Sequence, residues 1–341
     1  MHMADALVSP MVGGTLWAVS ATAVAYSSQK IRKQANAGQV PLMGVLGAFL
    51  FAAQMINFTI PGTGSSGHLG GGLLLAILLG PHAALLAITS VLMVQAFFFA
   101  DGGLLALGCN IFNMGIIPAY LVYPLLYLPL AGRNPDSGRR TMAIILSALV
   151  ALQLGPFSVV TETLFSGISA LPFSTFLLLM LPIHLAIGLV EGVITVAVVS
   201  FVYQARPEIL QSPFELSAPS FYPLRYVLIF FVLAAAVVGG IVSLYASSHP
   251  DGLEWAIQKV TGSEVVKGQD TTVHRLLGGF QERVALLPDY TFKKNAEKPV
   301  SVSTKKLGTS LAGIVGGIVT LLLLVAGGFL LNRSRSVVQD K

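Results

Sequence analysis

The sequence predicts an all-α integral membrane protein, a seven-helix bundle followed by a two-helix C-terminal region that flanks a small extracytoplasmic domain. Three observations carry this. The 341 residues are 54% hydrophobic and only 10% charged, with a mean hydropathy of +0.78. Nine apolar stretches succeed one another along the chain. Lys and Arg collect after the first, fifth, seventh and ninth of them. A soluble domain carries about 25% charged residues, so a soluble enzyme, a disordered chain and a disulfide-stapled secreted domain are all excluded. The net charge of +5 gives no reason to expect nucleic acid as a partner, because in a membrane protein basic residues first report orientation. Membrane lipid is the expected surroundings. Cys109 is the single cysteine, which rules out an intrachain disulfide and a Cys-based zinc site. It reads as a small buried hydrophobe.

The apolar stretches fall at 10–28, 41–58, 70–80, 83–100, 104–130, 141–160, 172–203, 225–246 and 308–331. A simple span takes about 20 residues, so the third is short. Gly80-Pro81 breaks it from the fourth. Lys30, Arg32 and Lys33 follow the first stretch. Arg133, Arg139 and Arg140 follow the fifth, Arg206 and Arg225 surround the linker after the seventh, and Arg333, Arg335 and Lys341 follow the ninth. Segments 59–69, 101–107 and 161–171 contain no Lys or Arg. The positive-inside rule then puts the N-terminus outside and the C-terminus in the cytoplasm. Fusing 70–100 into one span would turn Arg133, Arg139 and Arg140 outward.

These boundaries divide the chain into a bundle (1–205), a cytoplasmic linker (206–224), a C-terminal region (225–335) and a tail (336–341). Within the third, 247–307 is predicted outside. It holds basic residues, but long loops translocate regardless of charge, and its acidic residues give it the composition of a small soluble domain. Gly313 and Gly317 make a small-xxx-small face on the last span. Ala21 and Ala25 in the first span, and Ala48 and Ala52 in the second, do the same. No basic residue precedes the first span and no clear A-x-A site ends it, so no signal peptide is expected. Met1 is expected to stay, since His2 is too large for methionine removal.

Polar residues in so apolar a chain need a reason. A terminal amine on Met1, the His2 backbone nitrogen and the His2 Nδ1 can close five- and six-membered chelate rings on one metal ion. A deprotonated amide in such a set favours square-planar Ni(II) or Cu(II) and leaves one in-plane position. By itself, a histidine at position 2 carries little weight. Thr59 to Gly72 contains G-x-G-x-x-G at Gly62, Gly64 and Gly67. No strand-turn-helix context or acidic residue about 20 positions on supports dinucleotide binding. The glycines instead suit a re-entrant loop lining a cavity, with His68 at its tip, either as a ligand or as a hydrogen-bonded loop histidine. His184 and Glu191 lie two helical turns apart on one face, either as a structural hub or as ligands. Asn57, Gln95, Asn110 and Asn113 are further interior polar groups. No P-loop and no H-E-x-x-H motif occurs in the sequence, which argues against ATP binding by this chain and against a zincin.

Taken together, Met1-His2, Gly67-His68-Leu69, the run Asp101-Gly102-Gly103 through Asn113-Met114-Gly115, and His184 through Gly192 resemble the CbiM/NikM family. These are substrate-capture components of energy-coupling factor transporters for cobalt and nickel. The resemblance covers about residues 1–205. Residues 225–335, with Pro250-Asp251-Gly252-Leu253-Glu254, resemble the CbiN/NikN partner and its PDGLE signature, so the chain looks like a fusion of the two. The resemblance implies that Met1, His2 and His68 bind the metal, the first two through the amine, the His2 amide and the His2 imidazole. It implies Ni(II) or Co(II) as transported substrate, no cofactor, and no enzyme activity in this chain. ATP hydrolysis would fall to two separate ATPase subunits joined by a transmembrane coupling protein. The family commonly opens Met-His-Ile-Pro-Asp-Gly, whereas this chain opens Met1-His2-Met3-Ala4-Asp5-Ala6 and so lacks that turn. The competing readings are a membrane metalloenzyme built on His184 and Glu191 and a metal-responsive sensor using 247–307. Neither explains Met1-His2 and His68 together.

Overall fold

A computed structural model describes residues 2–34, 38–132, 136–169, 171–210, 223–264, 271–292 and 302–339. Met1, Arg133, Lys341 and most of the linker lie outside them. Each of the nine apolar stretches is helical. They are α1 (Pro10–Gln34), α2 (Gln39–Gln54), α3 (Gly72–Leu79), α4 (Pro81–Phe99), α5 (Leu107–Ala131), α6 (Ser137–Ser166), α7 (Phe173–Ala205), α8 (Leu224–Gly240) and, at the C-terminal end, α11 (Val302–Gln339). Among the described residues, six helices are long and apolar enough to cross a membrane, namely α4 to α7, α8 with its extension to Tyr245, and α11. The eight residues of α3 rise only about 12 Å at 1.5 Å each, well under a bilayer core of about 30 Å.

The Gly-rich segment before α3 is not an open loop. Phe58–Ile60 (β1) and Ser65–Gly67 (β2) pair antiparallel, with Thr59 opposite Ser66. Gly62 and Gly64 supply φ of +77° and +76° for the turn between them, which a residue with a Cβ adopts only with strain. Gly67 lies so close to α7 that a Cβ there would come within 2.5 Å of Ile187 Cγ1. The hairpin therefore delivers His68 into the bundle rather than over it.

The two C-terminal helices pack on α2. Gly313 of α11 meets the backbone of Gly239 of α8, where an added Cβ would stand 2.5 Å from the Gly239 carbonyl oxygen. Ala52 closes the same contact from α2, and Ala48 and Ala52 are buried. That alanine pair is spent on packing within the chain. Ala21 and Ala25 on α1 are exposed.

Between α8 and α11 lie α9 (Gly252–Thr261) and α10 (Thr272–Val284). Leu253, Ala256 and Ile257 of α9 are buried against α7, while α10 buries none of its residues. The described part of this segment is thus a cap on one end of the bundle, not a globule around its own core. The PDGLE motif explains how it sits. Asp251 caps α9 through Oδ1, accepting from Leu253 N at 2.8 Å and Glu254 N at 2.9 Å, and Glu254 Oε2 accepts from Asp251 N at 3.1 Å. This is a reciprocal capping box. Gly252 touches α7, where a Cβ would meet Ile183 Cγ2 at 2.7 Å and His184 Cε1 at 2.9 Å.

Candidate metal centre

The site is assembled at the capped end of the bundle from five separate parts of the chain. Residues 2–8 turn inward ahead of α1 and are held by backbone contacts. Met3 N donates to Asn110 Oδ1 at 2.8 Å, and Asn110 Nδ2 donates back to Met3 O at 3.2 Å. Gly103 N donates to the same carbonyl at 2.9 Å, and Ala106 N donates to Asp5 Oδ1 at 3.0 Å. A short 3-10 turn at Asp5–Leu7 follows. The paired bonds with Met3 explain Asn110, whose side chain matches one peptide unit of an entering strand.

These contacts bring His2 against His68. Their rings are stacked with centroids 5.1 Å apart and 11° between planes. Both are buried, at 6% and 9% side-chain exposure. Burial lowers the His2 pKa to about 4, against a smaller opposing pull from Asp101, so the ring is neutral near pH 7. His68 Nδ1 lies 3.1 Å from Leu69 O. A carbonyl only accepts, so Nδ1 is the donor in that contact and Nε2 is the ring nitrogen turned toward the site.

Two carboxylates flank the imidazole pair. Asp101 Oδ1 is 3.3 Å from His2 Nδ1, and Asp251 Oδ2 is 3.7 Å from His68 Nε2. The Tyr290 hydroxyl donates to Asp101 Oδ2. Asp101 belongs to the α4–α5 connection and Asp251 to the cap. Neither stands out as a site residue in the sequence, although both fall in motifs quoted above. The available signal was the capping box, which fixes where Asp251 points. Beside them, His68, His184, Met114, Asp251 and Gly252 help enclose a cavity of ≈ 10 Å³, room for about one water or ion.

His184 and Glu191 are both buried, with structural partners. His184 Nδ1 lies 2.7 Å from Met180 O and its ring borders the cavity. Glu191 accepts from Gly70 N at 2.7 Å and Gly71 N at 3.1 Å, pinning the segment just after His68. Asn113 donates to Glu162 at 2.9 Å. Met1 lies outside the described residues. Among the described residues, no group of three His, Cys, Asp or Glu side chains closes into a metal site. A metal at His2 and His68 would therefore draw on other donors, such as backbone nitrogen.

The cap is tied to every segment that builds this centre. Ser66 N donates to Pro250 O at 2.8 Å, and Trp255 Nε1 donates to Thr63 O at 3.0 Å. His274 Nε2 reaches Asp5 O at 3.1 Å and Val8 O at 3.0 Å. Gln281 Nε2 donates to Gly102 O at 2.7 Å.

Fold and site define a polytopic membrane protein with a buried two-histidine, two-carboxylate centre closed by a cap. Residues 2–209 match the family model described as the cobalt uptake substrate-specific transmembrane region, and residues 225–333 match the PDGLE domain. The chain belongs to that cobalt-uptake family and carries a PDGLE domain behind it. It is 36% identical over 220 residues to a putative metal transport protein of Haloquadratum walsbyi, covering 63% of this chain and 95% of the relative. A putative fused nickel transport protein NikMN of Archaeoglobus fulgidus is 32% identical over 340 residues, 98% of each chain. A solved structure described as a truncated transition metal transporter is 28% identical, with a TM-score of 0.53, covering 60% of this chain and 99% of that one.

Proposed function

We propose that this chain is the substrate-binding transmembrane component of an ATP-driven energy-coupling factor importer for Ni(II) or Co(II), with the capture and partner functions fused. The observation that carries the reading is the pair of stacked imidazoles of His2 and His68, with side chains buried between Asp101 and Asp251. With Met1 as the first residue of the mature chain, its amine, the His2 amide and His2 Nδ1 chelate the ion, and His68 Nε2 takes the fourth position. Such a set favours Ni(II) over Co(II) on geometry. Cu(II) binds such donors at least as well, so metal availability and site rigidity also set the choice. The two carboxylates offset the charge of the dication.

In this reading, 1–205 is the metal-binding bundle, 206–224 a cytoplasmic linker and 225–335 the partner region, with the N-terminus and the cap outside and 336–341 inside. The basic connections support that orientation. ATP hydrolysis belongs to two separate subunits, linked through a transmembrane coupling protein. The exposed Ala21–Ala25 face of α1 is its docking candidate, beside an open apolar groove of ≈ 640 Å³ lined by Ala18, Thr22 and Tyr120.

The test is metal bound per purified chain, by elemental analysis after exposure to Ni(II) or Co(II). His2→Ala, His68→Ala and a chain with one extra residue before Met1 should all lose the ion. Full binding by the extended chain and by His2→Ala refutes the chelate, because only the chelate makes the position of the amine matter.

A further inference from the structure

Gln54 and Gln95 are buried at 4% and 0% exposure, on helices that contribute no proposed ligand. Burying two amides in an apolar bundle is costly unless their hydrogen bonds are made, and here they are made to one another and to both halves of the centre. Gln54 Nε2 lies 3.0 Å from Gly70 O, Gln95 Nε2 lies 2.9 Å from Gln54 Oε1, and Gln95 Oε1 lies 3.1 Å from His2 Nε2. Amide oxygen and nitrogen are ordinarily assigned from their network. This chain ends on a group that removes the ambiguity. A peptide carbonyl can only accept, so Gln54 must turn its NH2 to Gly70 and its oxygen to Gln95. Gln95 must then turn its NH2 to Gln54 and its oxygen to His2. His2 Nε2 is left facing an acceptor, so it carries the proton.

A neutral ring has one proton for two nitrogens. We infer that Gln54 and Gln95 are positioning residues, a polarised relay that fixes His2 in the Nε2–H tautomer and thereby keeps the Nδ1 lone pair available to metal. The lone pair then faces Asp101 Oδ1 at 3.3 Å, an arrangement of two electron donors that a cation relieves. The same relay joins His2 to the segment bearing His68. Gly70 is two residues beyond His68, and its own N–H is held by Glu191 at 2.7 Å. Seating His2 therefore stiffens the chain that carries the second imidazole, before any metal arrives. The inference deepens the proposed metal centre and rests on His2 Nδ1 and His68 being donors.

The full-length protein tests it with Ni(II) as probe. Gln95→Met and Gln54→Met keep the approximate shape and delete the relay, and Gln95→Glu keeps an acceptor for His2 but cannot donate to Gln54. Metal-free protein with 15N-labelled histidine, with His2 assigned by difference from His2→Ala, should show Nε2–H in the native chain and in Gln95→Glu, and mixed tautomers in both Met variants. Ni(II) affinity should fall about 10- to 100-fold in the Met variants, the usual effect of losing an outer-shell partner. The energy of the visible Ni(II) absorption band should not move, because the donors are unchanged. Amide exchange at 68–71 should quicken in all three variants, Gln95→Glu included. A native Nδ1–H tautomer, or native affinity and tautomer in Gln95→Met, overturns the relay. If His2→Ala loses Ni(II) while Gln95→Met keeps native affinity and tautomer, the centre stands and the relay falls. If His2→Ala binds fully, the centre itself falls.

Discussion

Gly252→Ala is a probe of the cap that touches neither His2 nor His68. Gly252 opens α9, where its backbone is not in the left-handed region, so alanine costs nothing in conformation and everything in space. The new Cβ would stand 2.7 Å from Ile183 Cγ2 and 2.9 Å from His184 Cε1, where ordinary contact begins near 3.4 Å. Something must move by about 0.7 Å. Ile183 is β-branched and stiff at χ1, with 4% exposure, and the His184 ring is held to Met180 O at 2.7 Å. The element with room to yield is α9, and Asp251 and the Ser66–Pro250 contact travel with it. Overpacking of this kind costs about 1–3 kcal/mol, a drop of about 5- to 150-fold in the ratio of docked to lifted cap. Amide exchange across 246–262 in the full chain reads that ratio, with Ni(II) affinity in parallel. Gly278→Ala in α10, where nothing lies within 4 Å of the added Cβ, is the control and should leave both unchanged. Native exchange and affinity in Gly252→Ala would refute the idea that close contact at Gly252 seats the cap. Weakened Ni(II) binding with native exchange would show that the effect passes through His184 instead.

Asn110→Leu leaves the buried Met3 N–H without its partner and takes one donor from Met3 O. At about 1–3 kcal/mol for a stranded buried group, residues 2–8 should exchange much faster and Ni(II) binding should weaken, and native protection would contradict the clamp. Glu191→Gln replaces one carboxylate oxygen with an NH2 facing a glycine N–H. Stranding one of these buried N–H groups, at about 1–3 kcal/mol, should loosen 68–72 with little effect on 2–8, and equal loosening of both segments would show a general defect. The His2 pKa is lowered on docking, from 6.5 to about 4. Docking of the metal-free N-terminal segment is therefore full above about pH 6.5 and is lost as pH falls toward 4. This lowering amounts to about 3 kcal/mol. Exchange of 2–8, corrected for intrinsic rates, should show this loss in the native chain and not in His2→Gln, and a flat native profile would count against a buried neutral His2.

The spans were legible because apolar runs and basic connections report the bilayer directly, and the helices follow the nine predicted stretches. The hairpin at Phe58–Gly67 was not. Its strands are three residues each and rich in Thr, Ser and Gly, with no alternation long enough to signal a sheet. They form because the hairpin leans on Ile187 and Pro250, which lie far off in sequence. The same distinction divides the site. His2 and His68 could be picked out because an ionisable group in an apolar chain demands a reason. Gln54 and Gln95 could not be placed, since only the fold shows that α2 and α4 bring one amide against the other. Ala48 and Ala52 offered a small-residue face without saying which helix would use it, and the contact with Gly239 decides that the chain's own C-terminal helices do.

The fused C-terminal region is attached by two kinds of contact, and they differ in how readily they can be broken. Its helices are seated by close backbone approach, Gly239 on Gly313 with Ala52 alongside, a packing that no single side-chain rotation can undo. The cap is held by Leu253, Ala256 and Ile257 packed on α7 and by scattered polar bonds to backbone groups, Ser66 to Pro250, Trp255 to Thr63 and Gln281 to Gly102, each bond worth about 0.5–1.5 kcal/mol net where water can replace it. A separate cap protein would have to meet an association cost of about 4–15 kcal/mol from such bonds. Carried between two anchored helices, the cap meets its site at the millimolar effective concentrations typical of short tethers. Contacts that would be too weak to recruit a separate partner then suffice to keep the cap on the site.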